Sequence, residues 1–160
     1  MWVPESLGTL IVVSIKQSVQ LGGRASSRLA RQVETALGAL DLSLSQYRAL
    51  LFLSEGSSAA TALAGYLAVS PPSVTSMVDG LVARSLVERR SEPDDRRRVT
   101  HVLTDDGART LKQADKAVQA RLDEISAFLS AEDAAAAERG LELWNEALDA
   151  YRAAKREAKQ

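Results

Sequence analysis

The sequence predicts a fold that is mainly α-helical and carries one small β-hairpin. Apolar residues recur at helical spacing along most of the 160 residues, while short β-branched runs occupy residues 86–90 and 99–103. A turn that contains Pro93 separates these runs, and a short capped helix comes directly before them. A helix followed at once by an arginine-rich hairpin is typical of a winged helix, in which the helix enters a major groove of DNA and the hairpin reaches an adjacent minor groove.

The helix before the hairpin carries its own start signals. Ser70 is a natural N-cap, and Pro71 suits the first helical position because its missing N–H loses no bond there. An apolar stripe at helical spacing is predicted to be buried, so the hydroxyl residues lie on the opposite face, where they can bond to phosphates or to base edges. The stripe consists of Val74, Met77, Val78 and Leu81, and the predicted DNA-binding residues are Ser70, Pro72, Ser73, Thr75 and Ser76. The simpler interpretation is a surface helix with hydroxyls on its solvated side.

The predicted hairpin has an arginine-rich tip. A run of charges is usually a solvated loop, but this run follows a hydroxyl-faced helix. Arginine in a narrow minor groove meets an enhanced negative potential, and a neighbouring carboxylate can hold a guanidinium through a bidentate pair. The predicted DNA-binding residues of the tip are Asp95, Arg96, Arg97 and Arg98.

Several short motifs follow one another between residues 41 and 107. They are Gln46-Tyr47-Arg48-Ala49-Leu50-Leu51, Leu63-Ala64, Val69-Ser70-Pro71, Val74-Thr75, Leu86-Val87-Glu88-Arg89 and Asp95-Arg96-Arg97, followed by Val99, Leu103, Thr104 and Gly107. In this order and spacing the chain resembles the MarR family of winged-helix transcriptional regulators. The resemblance implies that Arg97 enters the minor groove, that Asp95 positions it, and that two copies interlace as a dimer.

Three positions depart from the family pattern. Ser76 and Gly80 stand where relatives often carry arginine on the outward face of the helix, so we expect weaker phosphate anchoring by this helix. Ser85 stands where a C-capping glycine is usual.

The chain is predicted to form a single MarR-like domain over residues 1–160. Residues 41–107 form the winged helix-turn-helix part, and residues 1–40 and 108–160 supply N- and C-terminal dimerisation helices. Gly22 and Gly23 are expected to break or kink the first helical stretch. The predicted helices span residues 5–20, 24–37, 46–55 with Ser45 as its cap, 60–67, 105–129 capped by Thr104, and 132–158.

The terminal helices carry apolar stripes that can pack on each other within one chain or against a second copy. We favour packing against a second copy, because a small winged domain has little apolar surface of its own that these helices would need to cover. A twofold dimer places two recognition helices one DNA turn apart and requires a palindromic operator. The predicted dimer-interface residues are Leu7, Leu10, Ile11 and Ile15 in the first helix, and Leu141, Trp144, Leu148 and Tyr151 in the last.

Composition narrows the remaining functions. The chain has no cysteine, which excludes disulfides and thiol redox sensing, and its single histidine, His101, is predicted to be structural or solvent-facing. No metal site and no cofactor are predicted. The net charge of the chain is −1. The segment from Arg84 to Arg98, however, contains six arginines and four acidic residues. This local excess of positive charge is expected to confine the attraction for phosphate to one surface. The apolar run from Leu10 to Val13 is too short for a membrane span, and we predict no membrane partner and a cytoplasmic protein.

No catalytic residue is predicted, and we do not expect an enzyme. The carboxylate pairs Asp105-Asp106 and Glu132-Asp133 both fall at predicted helix starts, where the helix dipole favours acids.

The predicted function is that of a sequence-specific transcriptional regulator, a repressor that binds double-stranded DNA as a homodimer. By resemblance, a small aromatic or anionic effector binds in a crevice between the dimer helices and the winged part, where Tyr47 and Arg48 can supply a ring and a cation. The plainer interpretation makes Tyr47 a core residue and Arg48 a surface charge, with repression that needs no effector. The alternative function is a winged-helix protein-interaction module or dimeric scaffold without operator binding.

Overall fold

The computed structural model describes residues 5–56, 58–91 and 99–157, and side chains from Leu21 onward within these ranges except Arg156. Contacts divide the chain into two compact units, residues 1–119 and 120–160. The elements are α1 (Glu5–Gly38), α2 (Leu44–Ser54), β1 (Ser58–Ala59), α3 (Ala60–Leu67), α4 (Pro71–Ala83), β2 (Val87–Ser91), β3 (Val99–Leu103), α5 (Asp105–Ser126) and α6 (Ala131–Glu157). The predicted class, mainly helical with a small hairpin, is confirmed.

The first helix runs unbroken through its paired glycines, so the predicted break at Gly22 and Gly23 is wrong. Ser26 Oγ donates to the Gly22 carbonyl at 2.9 Å, one turn back along the same helix. A glycine costs about 1 kcal/mol of helix propensity relative to alanine, which weakens a long helix without ending it.

The second helix begins earlier than predicted, and its cap is Ser43 rather than Ser45. Ser43 Oγ accepts from the Gln46 amide at 3.1 Å, and Gln46 Oε1 accepts from the Ser43 amide at 2.9 Å. This reciprocal pair is a capping box, and it satisfies two amides that the helix leaves unbonded.

The sheet has three antiparallel strands in the order β1-β3-β2. The predicted hairpin stem is confirmed, with Val87 opposite Leu103 and Ser91 opposite Val99. Strand β1 was not predicted, because two residues are too few to show an alternating pattern. His101 is 5% exposed in the central strand, and its Nδ1 lies 3.2 Å from the Ser58 carbonyl oxygen, so its predicted structural role is confirmed.

The core of the first unit fixes α4 against its neighbours. Full burial of one aliphatic side chain contributes about 1.5–3 kcal/mol to the free energy of unfolding. Arg84, at the end of α4, donates to the carbonyls of Asp41 at 2.5 Å and Leu40 at 3.1 Å, which ties the helix to the turn after α1. The largest fully buried side chains are Leu37, Leu50, Leu63, Val74, Val78, Leu81 and Val87.

Helix α5 begins in close contact with the turn that follows α4. Thr104 is its cap, as predicted: Thr104 Oγ1 accepts from the Gly107 amide at 2.9 Å and donates to the Ser85 carbonyl at 2.7 Å. Ser85 itself has φ of 59°, in the left-handed region that favours glycine. The helix ends at Ser126, three residues before the predicted end.

The second unit contains the end of α5 and helix α6. Ser130 caps α6, with its Oγ accepting from the Asp133 amide at 3.1 Å. Asp105 and Asp106 lie in the first turn of α5, and Glu132 and Asp133 in that of α6, so the helix-start interpretation of these acids is confirmed. Within the described residues, no helix is both long and apolar enough to cross a membrane.

Candidate nucleic-acid interface

Helix α4 divides into a buried face and an exposed face, as predicted. Val74, Val78 and Leu81 are buried, whereas Met77 is half-buried at the margin. The exposed face carries Pro72, Ser73, Thr75, Ser76 and Asp79. Gly80 does not belong to this face: it is half-buried, and a Cβ there would lie 3.8 Å from Gln46 Nε2 of α2.

The hydroxyl groups on α4 differ in their bonding. Ser70 Oγ caps the helix and lies 2.8 Å from Ser73 Oγ, so these two share a hydrogen bond. Thr75 Oγ1 donates to the Pro71 carbonyl at 3.2 Å, which occupies its proton within the helix. Ser76 makes no side-chain hydrogen bond to any described residue. Ser76 is therefore the hydroxyl most available to an outside acceptor.

An open cleft of about 690 Å³ lies between the start of α2 and the exposed face of α4. Its lining is mostly small and polar, so water or a polar ligand chain can occupy it. Neither Tyr47 nor Arg48 lines it. The lining residues are Ser43, Ser45, Gln46, Val69, Pro72, Ser73, Ser76 and Met77.

The wing stem stands directly beside α4. Strand β2 ends at Ser91 and β3 begins at Val99, so residues 92–98 connect them. The predicted tip residues Asp95, Arg96, Arg97 and Arg98 lie outside the described residues, and their proposed DNA contacts stay predictions.

Two adjacent arginines on β2 have different partners. Arg89 forms an ion pair with Asp79 of α4, whereas Arg90 pairs with Glu88 of its own strand. The Asp79 pair was not predicted, and the only local signal in the sequence is the strand face on which Arg89 lies. Side chains alternate along a strand, so Arg89 shares a face with the buried Val87 and points toward the helices.

The two residues predicted to meet an effector make contacts within the first unit. Tyr47 Oη donates to Asp115 Oδ1 of α5 at 2.7 Å. Burial, and then the bond to Asp115 and its charge, raise the pKa of Tyr47 well above its ordinary value. The Arg48 guanidinium lies 5.8 Å from the centre of the Tyr66 ring and donates to the Tyr66 carbonyl at 3.5 Å. Both side chains therefore link helices, and their ligand role stays a prediction.

The structure describes the side chains of the predicted interface residues in the last helix but not of those in the first. Leu141, Trp144, Leu148 and Tyr151 lie at i, i+3, i+7 and i+10 on α6, with exposed fractions of 50, 70, 47 and 60%. Leu7, Leu10, Ile11 and Ile15 lie on α1, but their side chains are outside the described part of the chain. The four α6 side chains form an apolar stripe that this chain leaves exposed.

Comparison with known proteins decides the family. A sequence profile of the MarR family matches residues 40–98, a range that includes α2, β1, α3, α4 and β2. An HTH-type transcriptional regulator of Mycobacterium bovis is 36% identical over 107 residues, covering 66% of this chain and 75% of that protein. The chain belongs to the MarR family of transcriptional regulators. A further HTH-type regulator, from Bacillus subtilis, is 36% identical over 83 residues, which is 54% of its length.

Solved MarR structures share the fold. Wild-type MarR from E. coli, in its apo form, has a TM-score of 0.69 and 27% identity, covering 89% of this chain and 96% of that one. A cysteine-to-serine mutant of MarR from E. coli, complexed with operator DNA, has a TM-score of 0.62 and 27% identity, covering 81% and 94%. The MarR-family winged helix-turn-helix predicted from the sequence is thus confirmed as the fold and family of this chain.

Proposed function

We propose that this MarR-family regulator binds a palindromic operator in double-stranded DNA as a homodimer and represses transcription there. The observation that carries the proposal is the two-faced helix α4. Its apolar face is buried in the core, while Pro72, Ser73, Thr75 and Ser76 are exposed beside the wing stem. Small hydroxyl side chains allow a helix to lie deep in a major groove and to bond to base edges or phosphates. The relative bound to operator DNA supports the same use of this fold.

The dimer part of the proposal rests on the apolar stripe of α6. A helix that leaves Leu141, Trp144 and Leu148 about half exposed or more presents a surface that is unfavourable in water. Burying the stripe against the same stripe of a second copy gives a twofold interface. To bind a palindromic operator, the dimer must present its two α4 helices about one helical turn of DNA, roughly 34 Å, apart.

The distribution of charge supports binding to a specific DNA sequence rather than to any DNA. The chain as a whole carries −1, so a wide basic surface that would hold any DNA is not expected. Arg96, Arg97 and Arg98, which lie in sequence between the two strands, are proposed to supply local positive charge and to reach the minor groove. Operator affinity should therefore fall with salt, and binding to unrelated DNA should be weak.

The effector part of the proposal concerns Tyr47 and Arg48. A small aromatic anion that engages both would compete with the Tyr47–Asp115 bond and the Arg48–Tyr66 contact, which link α2 to α5 and to α3. Loss of these links would shift the winged part and weaken operator binding. Benzoate is a suitable probe: it should lower operator affinity of the wild type but not of Arg48→Gln.

A mobility-shift titration with DNA flanking the protein's own gene, combined with sedimentation, tests the main proposal. The wild type should sediment as a dimer and shift a palindromic fragment. Leu148→Glu, in the stripe, should give monomers and lose the shift. Ala135→Glu adds the same charge on the opposite face of α6, about 180° around the helix axis from Trp144, and should do neither. A stable dimer that shifts none of the flanking DNA would contradict the proposal and favour a protein-interaction module.

A further inference from the structure

The ion pair between Asp79 and Arg89 joins two elements that the proposed function assigns to different grooves. Asp79 lies on α4, one turn after Thr75 and Ser76, and Arg89 lies on β2, the strand that leads into residues 92–98. The two side chains remain 55 and 43% exposed. An ion pair this open to solvent contributes little to folding stability, so its main effect is on the geometry of the two elements.

The position of the pair on the molecule matches a specific part of DNA. Major and minor grooves are separated by a sugar–phosphate strand. If α4 occupies the major groove and the hairpin tip the adjacent minor groove, the base of the wing faces that strand. Arg89 lies at this base, opposite His101 in the strand register.

The chemistry of the pair suits a phosphate. A guanidinium has five N–H donors in a planar fork, and one carboxylate uses at most two of them. The remaining donors of Arg89 bond to no other described residue, and they can reach a phosphate oxygen while Asp79 holds the fork. A lone carboxylate on this surface would instead repel the DNA backbone.

We propose that Asp79 is a positioning residue for operator binding: it orients Arg89 toward the phosphodiester strand between the two grooves. The inference rests on the proposed operator binding and adds a phosphate contact from the wing stem beside α4. Asp79 acts through Arg89, and Arg89 is the residue that touches DNA.

The neighbouring pair Arg90–Glu88 provides a matched control. Glu88 and Arg90 lie two residues apart on one strand and connect no other element, with exposed fractions of 45 and 64%. Asp79→Asn and Glu88→Gln each remove one negative charge and release one arginine. Plain electrostatics therefore predicts that both changes tighten DNA binding to a similar degree, whereas positioning predicts opposite signs.

The experiment is an operator titration at several salt concentrations with the full-length dimer. Asp79→Asn should weaken operator binding about tenfold, since each dimer contains two pairs, while Glu88→Gln leaves it equal or tighter. Arg89→Gln should also weaken binding and lower the salt slope by about two units per dimer. Asp79→Asn should have no further effect in the Arg89→Gln background, and Asp79→Glu, which keeps the carboxylate, should retain most of the affinity. Melting temperatures should change little throughout.

Three results would overturn the inference while leaving operator binding intact: tighter binding by Asp79→Asn, equal responses to Asp79→Asn and Glu88→Gln, or additive effects of the Asp79 and Arg89 changes. A wild-type protein that binds no operator would overturn the proposed function itself, and this inference with it.

Discussion

Gly107 lies so close to the Leu86 carbonyl that no side chain fits between them. A Cβ on Gly107 would be 2.1 Å from Leu86 O and 2.7 Å from Leu103 Cδ1. This approach brings the start of α5 against the segment that joins α4 to β2. The glycine that closes the family-like motif at the end of the wing is thus explained by packing rather than by DNA contact.

Gly107→Ala is expected to destabilise the protein by about 3 kcal/mol, because the new methyl group would collide with backbone atoms that cannot move aside easily. The melting temperature should fall by roughly 6–12 °C, as thermal unfolding followed by circular dichroism would reveal. Gly65→Ala in α3 is the control: a Cβ there meets nothing within 4 Å, so alanine should be neutral or stabilising. Equal melting temperatures for the two variants would contradict the packing argument.

Ser85→Gly is expected to stabilise the protein by about 0.5–1 kcal/mol. Ser85 has φ of 59°, a conformation that costs residues with a Cβ more than it costs glycine. Urea unfolding would measure the change. Ala83→Gly, two residues earlier in the last turn of α4, should instead lose a similar amount because a helical φ gives glycine no advantage. Destabilisation by both changes would show that the strain at Ser85 is negligible.

Ser76→Glu and Ser73→Glu are each expected to weaken operator binding about a hundredfold or more. A carboxylate in the groove repels the phosphate charges, and the proposed dimer would carry two such carboxylates. Both side chains are exposed, so thermal stability should hardly change. The measurement is a fluorescence-anisotropy titration, with Ala135→Glu as the charge control. Normal operator binding by both variants would mean that α4 is not the reading helix.

Arg97→Ala is expected to weaken operator binding and to lower the salt slope by about one unit per subunit. Asp95→Ala distinguishes two roles by sign: a positioning role for Asp95 predicts weaker binding, whereas removal of a mere negative charge predicts tighter binding. Asp94→Ala removes the same charge next door and should tighten binding in either case. If Asp95→Ala and Asp94→Ala tighten binding alike, Asp95 is an ordinary turn residue.

Tyr47→Phe is expected to cost about 1 kcal/mol of stability near neutral pH, through loss of the hydrogen bond to Asp115. It should also change the alkaline limb of the stability profile. The pKa of Tyr47 is higher in the folded state than its ordinary value of 10.0. The neutral phenol therefore stabilises the fold fully at pH values below 10.0, and this contribution is lost as the pH rises above 10.0 toward the folded-state pKa. Urea unfolding between pH 8 and 11 should therefore show a smaller alkaline loss for Tyr47→Phe, which has nothing to ionise at this position. Parallel profiles would contradict the folded-state shift.

Local signals predicted the elements that surround α4. Ser70 and Thr104 are caps because their side chains accept from amides three residues ahead, a spacing that the sequence displays directly. The longer-range features were harder to predict. Strand β1 exists only through its pairing with β3, and the Asp79–Arg89 pair depends on the placement of β2 against α4, which no local pattern specifies. The continuity of α1 is not evident from a local pattern, because two adjacent glycines lower the helix propensity there while the cooperativity of a long helix acts over many residues.

His101 gives this protein an internal spectroscopic probe. It is the single histidine of the chain, and it sits nearly buried in the strand that lies between the other two. In a proton NMR spectrum, its imidazole ring contributes one identifiable set of carbon-bound signals, whose shifts depend on the Ser58 carbonyl and the neighbouring strands. A variant that no longer binds DNA can therefore be examined in one spectrum: unchanged ring signals mean that the sheet supporting the wing is intact.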